Sequence, residues 1–501
     1  MESRSKKALL NSVVASLAQV ITILFQFIAR TFFIKILGEQ YLGLNGLFTN
    51  VLGILNLAEM GIGSAITFSL YRPLAENNKP QIAAIMRYLQ KWYRYIAVFV
   101  LVAGMIATPF IPHLIANNQH FTDFQVMAYF LVALSGTLVT YLLSYKRTLL
   151  IADQLGYINS LNTVYFNLAT QLIQIIFLIF SRSFLIYLFI QVLMNLLSNI
   201  MISIKVDKRY TFLDNKTQAV PNEILKYFKR NMQGMIAAKL GGVVVNATDN
   251  LVLSAFLGLS LVAKYANYTL ITTGLTAVLA QAISAVSSSI GNLAAKNESI
   301  DKQVKVFYEY FAITSIVSIA ASIGFATFSK QFIDAWIGTG FVLPEYVVFL
   351  IVFNFYFQSV RQALIGYANS YGLYWPQRHK PIFEALINLL VSIALVKYFG
   401  LGIAGVMIGT ISSNVLVNYW WEPLVVFKYG LKVPMGLFLY KYLLILVLGA
   451  VVIMESIVIG YSTSSLMQSL LLSLVLVLAG AVVFALIFKC MGINLWKRIK
   501  R

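Results

Sequence analysis

Cysteine is almost missing from this chain. Cys490 stands alone, so no disulfide can form within the chain and no thiolate metal site can be assembled. Histidine is nearly as scarce: there are three, His113 at the very end of a predicted span and His120 and His379 outside all of them, so none falls in the middle of a stretch apolar enough to cross a bilayer. Histidine chemistry at membrane depth is therefore disfavoured. Charge is thin, at 11% Asp, Glu, Lys and Arg, whereas a soluble domain carries about 25%. No separate soluble domain and no glycine-rich phosphate loop is available to bind a nucleotide, and no residue pattern calls for a cofactor or metal. What fills the sequence instead is apolar: 59% of its 501 residues are hydrophobic and its mean hydropathy is +0.79. These proportions belong in lipid.

A helix needs about 20 apolar residues to cross the hydrocarbon. By that measure fourteen spans are predicted, over 9–36, 41–70, 94–116, 123–146, 155–181, 184–205, 233–257, 262–291, 306–328, 346–369, 381–398, 402–421, 437–458 and 467–489. Continuous apolar runs of this length do not alternate as barrel strands must, so the fold class is an all-α polytopic membrane protein. The net charge of +20 raises the question of nucleic acid. The simpler cause is an excess of Lys and Arg in cytoplasmic loops. Basic residues crowd the start of the chain, 72–94, 146–147, 205–230, 296–305, Arg378, Lys380, 428–441 and the tail. The opposite loops and span ends show Arg182, Lys264, Lys330 and Lys397. Both termini are thus expected in the cytoplasm, the chain in the inner (cytoplasmic) membrane, and the first helix uncleaved.

The longest connections, 71–93, 206–232 and 292–305, all fall on the cytoplasmic side. Within the first, Ile82, Met86 and Leu89 recur at helical spacing among basic residues, as in a short interfacial helix or a solvated connector. The second reads as a linker. The halves also echo one another: Leu37-Gly38 in Leu257-Gly258, 74–77 in 293–297, and Arg147-Thr-Leu-Leu-Ile in Arg361-Gln-Ala-Leu-Ile, at offsets of 220, 219 and 214. Three matches in order at nearly one offset point to duplication of a six-span unit. An even-span unit repeats in parallel, about an axis along the membrane normal. The expected organisation is an N-terminal lobe at 1–205, a linker at 206–232, a C-terminal lobe at 233–422, and two further helices with a basic tail at 423–501.

Several spans carry polar stripes. Ser12, Ser16, Gln19, Gln26 and Arg30 lie on one face of the first. Thr49, Asn56, Glu59 and Gly63 do so in the second, Lys239, Gly242, Asn246 and Asp249 in the seventh, and Asn354, Gln358 and Arg361 in the tenth. Gln191, Asn195 and Asn199 mark the sixth, Glu384 and Asn388 the eleventh. A charge at the bilayer centre costs about 2.5 kcal/mol or more, so such groups must meet each other or line a wet cavity. The amides are as well suited to helix–helix hydrogen bonds as to a ligand. For Arg30, Lys239 and Arg361 a functional role is the stronger expectation. At an offset of 220, Arg30 maps beside Asp249. An ion pair between them, acting as gate or latch, and a cation-coupling role for Asp249 both remain open, with Glu59 a further coupling or gating candidate.

At these residues the chain resembles a known family, the Wzx-type polysaccharide-repeat-unit flippases of the multidrug/oligosaccharidyl-lipid/polysaccharide exporter superfamily. The resemblance runs through Phe33–Phe48 (FIKILGEQYLGLNGLF), Leu57–Ile66 (LAEMGIGSAI), Leu70–Asn77 (LYRPLAEN), Thr248–Tyr265, Gly372–Asn388 and Gly400–Thr410, and so covers nearly the whole chain. It implies two pseudo-symmetric six-helix lobes, MATE-like, around a central cavity with alternating access, plus two extra C-terminal helices. Many such flippases have twelve spans, and fourteen is closer to the related lipid II flippases. The implied cargo is an oligosaccharide on polyprenyl diphosphate, in contact with membrane lipid and delivered to a polymerase and its chain-length machinery. On that reading Arg30, Lys239 and Arg361 grip the diphosphate through cationic donors, helped by Gln26, Asn246 and Gln358. A multidrug exporter of the same fold is the first rival, although acidic or aromatic linings suit cationic drugs better than three basic residues do. A polymerase would be expected to expose a large outer loop, and an acyltransferase to carry a histidine at membrane depth. The chain offers neither, and a non-enzyme is expected.

Overall fold

The computed structural model describes residues 4–56, 69–71, 73–74, 76–116, 120–153, 155–214, 248–295, 299–371, 373 and 375–493. The regular elements among them are helical. Eleven are long and apolar enough to cross a membrane, and they coincide with eleven of the fourteen predicted spans. The other three are 41–70 and 233–257, which lie partly outside the described residues, and 262–291, which falls on the helix Leu259–Ala295. The linker expected at 206–232 is described only as far as residue 214. The chain divides into two compact units, Met1–Ala263 and Lys264–Arg501.

The first unit opens with α1 (Arg4–Leu37) and α2 (Glu39–Leu55), separated by Gly38 at φ 92°. A residue with a Cβ is strained at that angle, so glycine allows the chain to re-enter a helix after a single residue. α3 (Lys79–Ala107) is one continuous helix of 29 residues. Ile82, Met86 and Leu89 thus belong to the same helix as the span rather than to a separate interfacial one. Asn78 caps α3 by accepting from the Gln81 amide, Pro80 fits its first turn, and Ile82, Met86 and Leu89 are buried along its inner face. α4 (Asp123–Leu143) starts from a Thr122–Gln125 capping box. It breaks at Ser144 into the short α5 (Tyr145–Ala152), and α6 (Gly156–Ser181) and α7 (Phe184–Arg209) follow. A helix at 248–257, here α8, and the first turn of α9 (Leu259–Ala295) complete the unit.

The second unit is built round α10 (Ile300–Ile337), whose buried residues all fall between Phe307 and Ile333. Ser315, Ser322 and Thr327 return their hydroxyls to carbonyls one turn back, which satisfies them without a partner helix. α11 (Glu345–Ser370), α12 (Lys380–Lys397) and α13 (Gly402–Ser413) follow. The rod of α13 continues through a π turn (Asn414–Asn418), an α segment (Tyr419–Leu424) and a second π stretch (Val425–Leu431). Pro423, which has no amide proton to donate to the preceding turn, lies between the two widened stretches. Gly405 and Gly409 sit against Leu395 and Ser392 of α12 where a Cβ would collide, so α12 and α13 pack backbone to backbone. The last two helices, α14 (Gly436–Ser462) and α15 (Leu466–Cys490), belong to the same unit. Gly449 fits against Tyr356, and Gly460 against Thr327. Ser469 donates to the Thr327 carbonyl at 3.0 Å. The outer face of α15 exposes Leu471, Val475, Leu478 and Val482, a surface suited to lipid rather than water.

Candidate functional site

In the first unit α1 presents Gln26 and Arg30 one turn apart, Gln26 exposed and Arg30 half-buried. Arg30 faces Tyr187 of α7. The next turn of α1 is anchored by Phe33, whose ring meets Phe184 at 6.0 Å and Tyr187 at 4.9 Å, both edge-on. Tyr41 and Tyr129 close on the same Phe184 at 5.3 and 5.1 Å. Interlocked aromatic rings leave α1 little freedom here, so the Arg30 guanidinium extends from a rigid wall. Asp249, in the first turn of α8, is buried, and both it and Arg30 are engaged by neighbours.

The two turns paired by the repeat touch. Gly258 has φ 87°, close to the 92° of Gly38, and each separates two consecutive helices. Ser260 donates to Glu39 Oε1 at 2.7 Å, the Ala116 amide donates to the Ser254 carbonyl at 2.9 Å, and Gly43 lies against the Leu259 backbone with no room for a Cβ. Nearby, α2, α4 and α7 enclose a cavity of about 230 Å³.

Of the other two matches, 74–77 with 293–297 lies partly outside the described residues, and the third is Arg147 with Arg361. Arg147, on α5, donates to Asn199 Oδ1 at 3.1 and 3.2 Å, to Asn159 at 2.7 Å, to Ser198 at 3.0 Å and to Thr163 at 3.3 Å. All four partners are neutral. Among the described residues no carboxylate meets this cation, and burial draws its pKa below the ordinary arginine value. Arg361, on α11, donates to Asn414 Oδ1 and, through Nε and Nη2, to both oxygens of Glu422 at 3.0 and 2.7 Å. Asn199 and Asn414 stand at nearly the same sequence offset as the two arginines, so the arginine–asparagine bond is itself duplicated.

Around Arg361 the second unit builds a buried, neutral cluster. Lys380 donates to Glu422 at 2.6 Å, and Glu384 stands 3.8 Å from Arg361 and 3.7 Å from Lys380. Asn418 donates to Glu384 at 2.7 Å and to Asn414 at 2.8 Å, and Asn414 donates to Asn354 at 3.0 Å. The π turn of α13 brings Asn414 and Asn418 to this face together. Two cations and two carboxylates balance, and the short bidentate arm between Arg361 and Glu422 is the arrangement that offsets the desolvation of buried charge.

Of the residues singled out in the sequence, Gln26 with Arg30 on α1, and Gln358 with Arg361 on α11, each share a helix face in the structure. Gln358 is half-buried and donates weakly to Asn354 at 3.4 Å. Glu59, Lys239 and Asn246 lie outside the described residues. Arg361 is almost wholly occupied, so a phosphate reaching it would compete with Glu422. Sequence reasoning missed Glu422, one residue beyond the predicted end of its span, and assigned Lys380 to a loop although it is buried. The i,i+4 spacing of Lys380 and Glu384 was the available signal.

No protein-family model matches the chain, and no curated protein matches it. Solved structures do. The lipid II flippase MurJ, in an inward-closed conformation, superposes with a TM-score of 0.69 at 14% identity, over 96% of this chain and all of that one. An inward-facing multidrug resistance MATE transporter of the MOP superfamily gives 0.59 at 17% identity, over 84% of this chain and 99% of that one. A MATE transporter from Vibrio cholerae gives 0.58 at 14% identity, over 85% and 98%. At such identities the likeness is one of architecture: the chain has the fold that these three structures share.

Proposed function

We propose that this chain is a flippase that moves polyprenyl-diphosphate-linked oligosaccharide repeat units from the inner to the outer leaflet for capsule or exopolysaccharide assembly. The observation that carries the reading is Arg30, a cation held by an aromatic wall within an otherwise apolar helix, on the same face as Gln26. Such a charge is costly in lipid unless an anion or water reaches it. A cation at this depth supports a functional role, and the guanidinium fork matches the oxygens of a diphosphate. Lys239 and Asn246 are assigned to the same binding face. Asp249 and Glu59 are assigned to coupling or gating. Arg361 and Gln358 contribute from the second unit, Arg361 chiefly by holding α11, α12 and α13 in register. The cargo is received in an inward-open state, re-exposed by rocking of the units, and passed to a polymerase.

A lipid-linked cargo is further supported by the span of the fold likeness. The MurJ match covers 96% of this chain and the MATE match 84%. The difference is comparable with the length of α14 and α15 together, at 27 and 25 residues.

Deletion of the gene should remove surface polysaccharide and leave lipid-linked repeat units on the inner leaflet, and Arg30→Ala should reproduce this with the protein still in the membrane. Raised drug susceptibility with polysaccharide intact would point to a multidrug exporter. Accumulated peptidoglycan precursor would point to a lipid II-type flippase.

A further inference from the structure

The 230 Å³ cavity of the first unit has a chemistry distinct from that of Arg30. Its walls come from one face each of three helices: Asn45, Thr49 and Asn56 on α2, Thr137 on α4, and Gln191 and Asn195 on α7. The spacings of four and seven residues on α2, and of four on α7, put these groups on single helix faces. No lining residue is charged. Phe48 and Leu188 supply apolar surface between the amides.

The polar groups differ in how they are satisfied. Thr49 returns its hydroxyl to the Asn45 carbonyl, and Asn56 accepts from Tyr141, so these two are settled within the fold. The side chains of Asn45, Thr137, Gln191 and Asn195 have no hydrogen-bond partner among the described residues. Four unpaired amide and hydroxyl groups facing one cavity, in helices otherwise fit for lipid, are not explained by helix packing. Amides that link membrane helices meet across the interface, and these do not. They are open to water, and a ligand rich in both donors and acceptors would match them.

Charge and position narrow its class. Without a cation the cavity has no grip on phosphate, and without a carboxylate none on a cationic drug. Alternating hydroxyls and C–H faces are what amides set among apolar side chains can match. Gln191 lies one turn along α7 from Tyr187, the residue facing Arg30, and a turn rises about 6 Å. A diphosphate at Arg30 would therefore carry its first sugars toward the cavity mouth.

We propose that this cavity is a saccharide-binding subsite, which takes an uncharged sugar residue next to the diphosphate and so reads the head of the cargo separately from its charge. The inference rests on the flippase reading above. The test uses the full chain in lipid nanodiscs, as wild type, as the Gln191→Leu/Asn195→Leu double variant and as Thr137→Val. Two probes are titrated: the lipid-linked oligosaccharide accumulated by cells deleted for the gene, and sugar-free undecaprenyl diphosphate. Because the replaced groups have no partner among the described residues, the variants should keep the wild-type melting temperature. The double variant should bind the sugar-bearing lipid roughly tenfold or more weakly, the effect of one or two lost hydrogen bonds, and the sugar-free lipid equally well. Equal binding of the sugar-bearing lipid by wild type and variants would overturn the subsite and leave the flippase reading standing. Equal weakening of both probes would overturn it too, since the cavity would then serve the carrier. If wild type binds neither lipid, the flippase reading falls and the subsite with it.

Discussion

Arg147 and Arg361, matched in the sequence at an offset of 214, lie one in each unit, and each donates to an asparagine, Asn199 or Asn414. Their surroundings are opposite. The carboxylate equivalent to Glu422 is Asp207, at the same sequence offset as the two asparagines, but Asp207 turns to Lys146 at the surface and leaves Arg147 among amides and hydroxyls. The second unit thus neutralises its arginine internally, and in the first no carboxylate among the described residues compensates Arg147. The two surroundings divide the electrostatic work. One unit is locked by charge balance, and the other keeps positive potential that an anion can use.

The sharpest way to break this comparison is to remove the carboxylate from each side. Glu422→Ala leaves Arg361 and Lys380 with Glu384 alone, and should cost about 3–5 kcal/mol, seen as loss of protein from the membrane or a large drop in melting temperature. Asp207→Ala, at a half-exposed pair, should cost less than about 1 kcal/mol. Similar losses in both would mean that the two sites do not differ as described. The double variant Arg361→Met/Glu422→Met should recover most of the lost stability, because it removes a buried pair together rather than stranding one member. A double variant no better than Glu422→Ala would place the energy outside the charges.

Smaller effects sharpen the same contrast. Arg147→Gln keeps hydrogen-bonding capacity among its neutral neighbours, so membrane abundance should change little. Transport, read as lipid-linked repeat units remaining inside, should fall about tenfold if the uncompensated charge contributes ~1.4 kcal/mol. Asn199→Asp would give Arg147 the compensation that Arg361 has, and should lower transport without lowering stability. Smallest of all, Gly38→Ala and Gly258→Ala should each cost about 1 kcal/mol in melting experiments, and by similar amounts, since both force a Cβ into positive φ at matching turns.

Much of this was legible before any coordinates. Gly38 and Gly258, read as an echo, are both positive-φ turns between consecutive helices, and both lie in the first unit, whereas Arg147 and Arg361 lie one in each unit and each bonds an asparagine. Helix edges set the limits. α13 runs to Leu431 by way of two π stretches, so Glu422, read as lying just past a span, is buried at the centre of the cluster. Periodicity at 3.6 residues cannot anticipate a π turn, which shifts the faces that follow it, and so it does not single out Asn414 and Asn418. Ile82, Met86 and Leu89 have the right spacing and other surroundings than expected: their face is buried by the unit itself, as the uninterrupted run of α3 from its Asn78 cap allows. The repeat also gives no sign that Asp207 and Glu422 choose different partners, because that depends on whether a lysine stands at 146 or at 380.

The neutral cluster has a consequence for how the protein is made. Arg361 is synthesised 61 residues before Glu422, and before Lys380 as well, and each charge enters the bilayer on a different helix. Inserted alone, α11 carries an unpaired guanidinium at a cost of about 2.5–3.5 kcal/mol, and its partner does not yet exist. α11 must therefore wait, shielded by the insertion machinery or by water, until α12 and α13 have been made. The second unit is expected to assemble late and cooperatively. A ribosome stalled between α11 and the end of α13 should hold an intermediate in which Arg361 is still open to water-borne reagents.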